Sequence, residues 1–116
     1  FQCEEWDWQA RAKKHSFKIF YTPFAKIWHK ESMTIGKKSA FKAYYDAKNP
    51  LILIYSHKKT KFFVRFFFHH LWSHVIKASI KAVFNDQSFN KFYKIWKGFL
   101  DALFFILTNK VKINNE

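Results

Sequence analysis

Between residues 62 and 107 the chain carries two long amphipathic patterns, 62–84 and 89–107, in which apolar side chains return every three or four positions. That period commits the back half of the chain to helices, because only a repeat near 3.6 residues keeps such positions on one face. In the first pattern His70, His74, Lys77 and Lys81 share a face, with Phe68, Trp72, Val75 and Val83 opposite. In the second, Phe92, Trp96, Phe99, Leu103 and Ile106 form one stripe, and Lys91, Lys94, Gly98 and Asp101 lie away from it.

Neither pattern suits a membrane-spanning helix. Arg65, three histidines, Lys77 and Lys81 interrupt the first, and a Lys or Arg at the centre of a span costs about 2.5–3.5 kcal/mol. The two segments read instead as interfacial helices, with Trp72, Phe92, Trp96 and Phe99 facing the membrane and Lys77, Lys81, Lys91 and Lys94 among the lipid phosphates. The same periodicity also fits a helical hairpin that buries its aromatic stripes against each other or against another domain.

Composition narrows the partners. A chain of 116 residues supports one small domain, and its net charge of +13 calls for a polyanion, either nucleic acid or the anionic lipid of a cytoplasmic membrane face. Sixteen Phe and five Trp exceed what so short a chain easily hides, and exposed apolar patches of that kind mark membrane or protein contacts. The aromatics fall on helical stripes rather than at the strand positions that stack bases, which argues against nucleic acid. A small basic RNA-binding or membrane-complex accessory protein stands as the alternative reading. The expected location is the cytoplasm, peripheral on the inner face of the membrane. The single Cys3 excludes an internal disulfide framework and reads as a structural thiol in a reducing compartment. The first residue is Phe, without a leader pattern behind it, and reads as an internal start.

The front of the chain mixes periods. Residues 1–16 place acidic side chains before Lys13 and Lys14, the charge order that suits a short helix. Two alternating runs follow, 17–21 and 25–29, divided at Thr22 and Pro23, and they predict two short strands joined by a bend. A loop over 31–38 leads to Ser39, which caps a predicted helix through Phe41, Tyr44 and Tyr45. Asn49 and Pro50 interrupt that helix, and the apolar run 51–55 reads either as a buried strand or as a further turn of helix. His70 and His74 stand at i and i+4 and could pair on a metal, yet no carboxylate or Cys completes a set, so an interfacial role is preferred for the histidines and no metal site is assigned.

The order Glu4-Glu5-Trp6-Asp7, Arg11, Lys18-Ile19-Phe20-Tyr21, Pro23, Ala25 and Trp28-His29-Lys30, then Tyr44-Tyr45 and Lys48-Asn49, resembles family 2 glycosyltransferases of the polysaccharide type. The family departs from this chain in having a turn glycine where Ser16 stands and an arginine where Lys48 stands. The resemblance implies an α/β fragment: the C-terminal end of a GT-A nucleotide-diphospho-sugar transferase fold (helix, two short strands, helix) followed by the two interfacial helices. Its implied divisions are 1–55 for the catalytic remnant, 56–61 for a basic linker, 62–107 for the helical tail and 108–116 for a polar end.

By the same resemblance Glu5 takes the place of the catalytic base that deprotonates an acceptor hydroxyl in an inverting transfer. Glu4 precedes it, and Asp7 and Arg11 support the pair. Trp28, His29 and Lys30 lie near the substrate or metal. The implied partners are a nucleotide-sugar and a glycan or lipid-linked acceptor, and the complete enzyme would use Mg or Mn. This chain lacks the donor-binding strands and the Asp-containing metal motif, so it is expected to be inactive alone and to hold no cofactor.

Overall fold

Ser39 opens the central helix. Its hydroxyl oxygen accepts the backbone N–H of Lys42 at 3.1 Å and its carbonyl accepts that of Ala43 at 3.2 Å, which is the N-cap geometry expected of a serine before an apolar-periodic run. The computed structural model describes residues 3–26, 28, 39–57 and 60–113. Among them the chain forms α1 (Glu4–Lys14), α2 (Ala40–His57), α3 (Thr60–His70), a π-helical segment (Leu71–Ile76), α4 (Lys77–Phe84) and α5 (Phe89–Ile113). Because α3, the π segment and α4 run on without a break, the described residues make four helical rods.

The core forms where α2 crosses α5 and the α3–α4 rod closes over them. Ala43, Ala47 and Leu51 recur at four-residue spacing on α2, and meet Ile95, Phe99, Ala102 and Ile106 of α5 with Val75 and Ala82 of the rod. This stripe explains why Pro50 does not end α2. Proline deletes the hydrogen bond to the Asp46 carbonyl and costs about 3 kcal/mol in a helix interior. Fully burying an aliphatic side chain such as Leu51 returns about 1.5–3 kcal/mol, and the alanine stripe adds to it. Of the two forms left open for 51–55, the helix is the one found.

Close approach of α2 and α5 depends on small residues. A Cβ built on Gly98 would overlap the Tyr44 carbonyl oxygen and lie 3.0 Å from the carbonyl carbon, so only glycine permits the backbones to touch here. Over the crossing, the Tyr44 hydroxyl donates to Asp101 Oδ2 at 2.6 Å and Lys48 Nζ donates to the Tyr44 oxygen at 3.0 Å. The turn into α5 is closed by Asp86 and Ser88, whose N–H groups donate to the carbonyls of Lys81 and Ala82. Gln87 takes the left-handed conformation between them, at φ 47°.

The expected α/β fragment is not formed. Among the described residues there is no strand, and the run 17–21 is irregular, with Phe17, Ile19, Phe20 and Tyr21 all exposed. An alternating run becomes a strand only when a neighbour takes its hydrogen bonds and a core covers one face, and neither condition is met for this run. The second expected strand, 25–29, falls partly outside the described residues; Ala25 and Lys26 carry no strand. The helices expected at either end of the pair are present as α1 and α2.

The π segment displaces the faces of the rod. Sequence spacing put His70, His74, Lys77 and Lys81 on one polar face, but the buried positions are His70, Val75, Ser79 and Ala82. The step from 70 to 75 is one π-helical turn of i to i+5, which an α-helical wheel places on different faces. Ahead of the π segment the histidine therefore points inward, while Phe68 and Trp72 are left exposed.

Candidate functional site

Glu4 and Glu5 stand in the first turn of α1 and are exposed. They line the mouth of a cleft of about 500 Å³ with Cys3, Trp6, Asp46, Pro50, Phe66, His70 and His74. The Cys3 thiol is pushed up by burial and by the charges of Asp46 and Glu4. His70 forms the cleft's inner wall: it is fully buried, stacks on Phe66 and on His74, and shares a 2.9 Å hydrogen bond between Nε2 and the Ala47 carbonyl. That bond fixes the proton on Nε2, because a carbonyl only accepts. Burial, reinforced by the neighbouring imidazoles of His74 and His69, lowers the His70 pKa to about 4, so His70 is neutral near pH 7.

Asp7 and Arg11 pair on α1 at 3.0 Å, as their i, i+4 spacing implies. A second partner was not legible in the sequence: His57 Nε2 lies 2.7 Å from Asp7 Oδ1 and ties α1 to the end of α2. The hydrogen bond from His57, with help from Arg11, holds the Asp7 carboxyl below its usual range. Trp28 is almost wholly exposed, and His29 and Lys30 lie outside the described residues.

The glycosyltransferase reading is corrected by this geometry. A nucleotide-sugar transferase of the GT-A type builds its donor site at the edge of a sheet, and every regular element among the described residues is a helix, with no strand to carry such a site. Among them no group of three or more His, Cys, Asp or Glu side chains could hold a metal ion. Nothing in this arrangement supports Glu5 and Glu4 as the remnant of a transferase active site. The fold that the resemblance implied is absent, and the enzyme assignment falls with it.

The residues read as membrane-facing divide into two groups. Trp72 is exposed, with Lys77 Nζ 5.6 Å from its ring centre, and Lys81 is exposed on α4. Phe92 is just exposed, Trp96 is half-buried with its indole nitrogen enclosed, and Phe99 is buried against Phe67. Lys91 is ion-paired with Asp86, and Lys94 is half-buried. The stripe through Trp96, Phe99, Leu103 and Ile106 thus closes the bundle instead of facing outward, as the hairpin alternative has it.

A different stripe of α5 faces out. Phe89, Tyr93, Leu100, Phe104 and Leu107 are exposed at 79, 58, 58, 70 and 62%, and their spacings of four, seven, four and three put them on one side of the helix. Lys97 lies within this stripe, 44% exposed and 4.0 Å from Asp101. Sequence reasoning missed it because α5 carries two apolar stripes and the inner one is the denser; the signal for the outer one is that Tyr93, Leu100, Phe104 and Leu107 fall outside the inner stripe. No helix among the described residues is long and apolar enough to cross a membrane. No protein-family model matches the chain, and no curated protein or solved structure matches it either.

Proposed function

We propose that this is a peripheral membrane-docking domain, seated on an anionic cytoplasmic leaflet by the outer face of α5. The observation that carries the reading is the run of five exposed large apolar side chains, Phe89, Tyr93, Leu100, Phe104 and Leu107, along one side of a single helix in a chain of net charge +13. Aromatic side chains bordered by lysines suit the headgroup boundary, where rings enter the acyl edge and ammonium groups stay among phosphates. The exposed segment with Phe17, Phe20, Tyr21 and Phe24 supplies further surface of the same chemistry.

Magnitudes support a docking that needs both forces. Burying roughly half of each of the five side chains contributes about 4–7 kcal/mol, and each lysine close to an anionic surface adds about 1 kcal/mol. Part of this is spent on immobilising the domain, so the apolar face alone gives weak binding and the charges bring it into the micromolar range. Co-sedimentation with phosphatidylcholine vesicles, with and without phosphatidylserine, tests this. Binding is expected only when phosphatidylserine is present, and to weaken as salt rises; equal partition into both vesicle types, or into neither, would refute the proposal.

A further inference from the structure

Three lysines from three different helices converge on one small cleft. Lys42 of α2, Lys81 of α4 and Lys91 of α5 line it, joined by Ser39, by His74 of the π segment and by Asp46. Like charges do not gather without compensation, and here two carboxylates supply part of it. Asp46 accepts two hydrogen bonds from Lys42 Nζ, at 3.2 and 2.9 Å, and Asp86 pairs with Lys91. Lys81 has no carboxylate partner among the described residues, and the balance of the cleft is positive.

The pairings also arrange donors. An ammonium group carries three N–H bonds, so Lys42 and Lys91 are held in place by their carboxylates and still have donors to give. Ser39 spends its oxygen on the Lys42 N–H and keeps its own O–H. The cleft thus offers hydrogen-bond donors from four elements around an unneutralised lysine. Its volume, about 160 Å³, is well short of the roughly 300–1,000 Å³ that encloses a drug-sized ligand.

We propose that this cleft binds a phosphoryl group, with Lys81 as the principal cation, Lys42 and Lys91 as pre-positioned donors, and Ser39 and His74 completing the ring. A phosphomonoester has the charge and the number of acceptor oxygens that such a ring satisfies. A terminal phosphate on a lipid headgroup and free phosphate share that chemistry. The inference rests on the docking reading only for the lipid source.

The test compares Lys81→Gln with Lys77→Gln, which removes the same charge from the same helix outside the cleft. Binding is measured to phosphatidylcholine vesicles doped with phosphatidic acid or, at matched surface potential, with phosphatidylserine, and separately to inorganic pyrophosphate. The unmodified protein is expected to favour phosphatidic acid by about tenfold, the equivalent of one charge-assisted hydrogen bond; Lys81→Gln removes that preference and Lys77→Gln keeps it. If Lys81→Gln weakens pyrophosphate binding while vesicles show no preference, the cleft serves a soluble phosphate. If the two variants behave alike toward both probes, the cleft is overturned, whereas docking through α5 is judged separately by whether vesicles bind at all.

Discussion

Gly98 of α5 rests against the backbone carbonyl of Tyr44 on α2, with no room for a Cβ between them. This contact sets how closely the two central helices approach, and so how well Ala47 and Ala102 are sealed. Gly98→Ala gains about 1 kcal/mol of helix propensity but forces the backbones apart, and overpacking costs about 1–3 kcal/mol. Because the obstruction is a backbone atom that no rotamer change can move, the cost is expected to win. With a contact this close the cost lies toward the upper end of that range, so urea unfolding should show net destabilisation of up to about 2 kcal/mol; an unchanged midpoint would mean that the helices separate freely at this point.

One turn further along α5, Asp101 receives the Tyr44 hydroxyl at 2.6 Å, joining positions 57 residues apart in sequence. Tyr44→Phe keeps the ring and removes the bond. The expected loss is about 1 kcal/mol, softened because Asp101 is part-exposed and can take water in place of the hydroxyl. Differential unfolding of the two proteins in urea measures it.

His70 makes stability depend on pH. Its folded pKa of about 4 lies below the ordinary value of 6.5, so between those values the unfolded chain binds the extra proton and stability rises with pH. The contribution is complete above about pH 6.5, and declines as pH falls toward 4 by up to about 1.4 kcal/mol per unit. The neighbouring charges are those of His74 and His69, which lower the value, and Asp46, which raises it. His70→Gln replaces the titrating ring with a neutral donor for the Ala47 carbonyl. The drop in unfolding free energy from about pH 7 to about pH 5 should be smaller in this variant than in the unmodified protein.

Much of the fold is legible in the sequence where a local signal and the core agree. Ser39 reads as a cap and is one, the acidic-to-basic order of residues 4–14 reads as a helix and forms α1, and the 3.6-residue patterns after residue 62 form helices. What misleads is the chemistry of partners that sequence does not display. The alternation of Phe17, Ile19 and Tyr21 has a strand's period, and the described residues hold no neighbouring strand to complete it. Pro50 signals a break that the buried Ala47 and Leu51 override. The extra residue in the π turn moves His70 from the polar face to the core, and no spacing rule for α-helices anticipates that. The candidate docking face was hidden by a richer stripe on the same helix, and the phosphoryl cleft by the distance in sequence between Lys42, Lys81 and Lys91.

Asp7 links α1 to the rest of the bundle through His57. Its carboxyl is held low by that hydrogen bond, so the contribution is present above the ordinary Asp value of 3.8 and is lost only as pH falls through the lower folded value. Asp7→Asn is expected to quicken amide exchange along α1 at neutral pH while leaving α2 and α5 protected. Uniform acceleration across all helices would show instead that α1 is integral to the core.

Vesicle binding by the double variant Leu100→Glu and Phe104→Glu decides whether the outer face of α5 is what meets the membrane. Both side chains are well exposed, at 58 and 70%, so the substitutions should leave the unfolding free energy within about 0.5 kcal/mol of the original. Binding to phosphatidylserine-containing vesicles should then fall by at least about a hundredfold, since two apolar anchors are lost and two negative charges face an anionic surface. A folded double variant that binds such vesicles as tightly as the unmodified protein would contradict docking through this face.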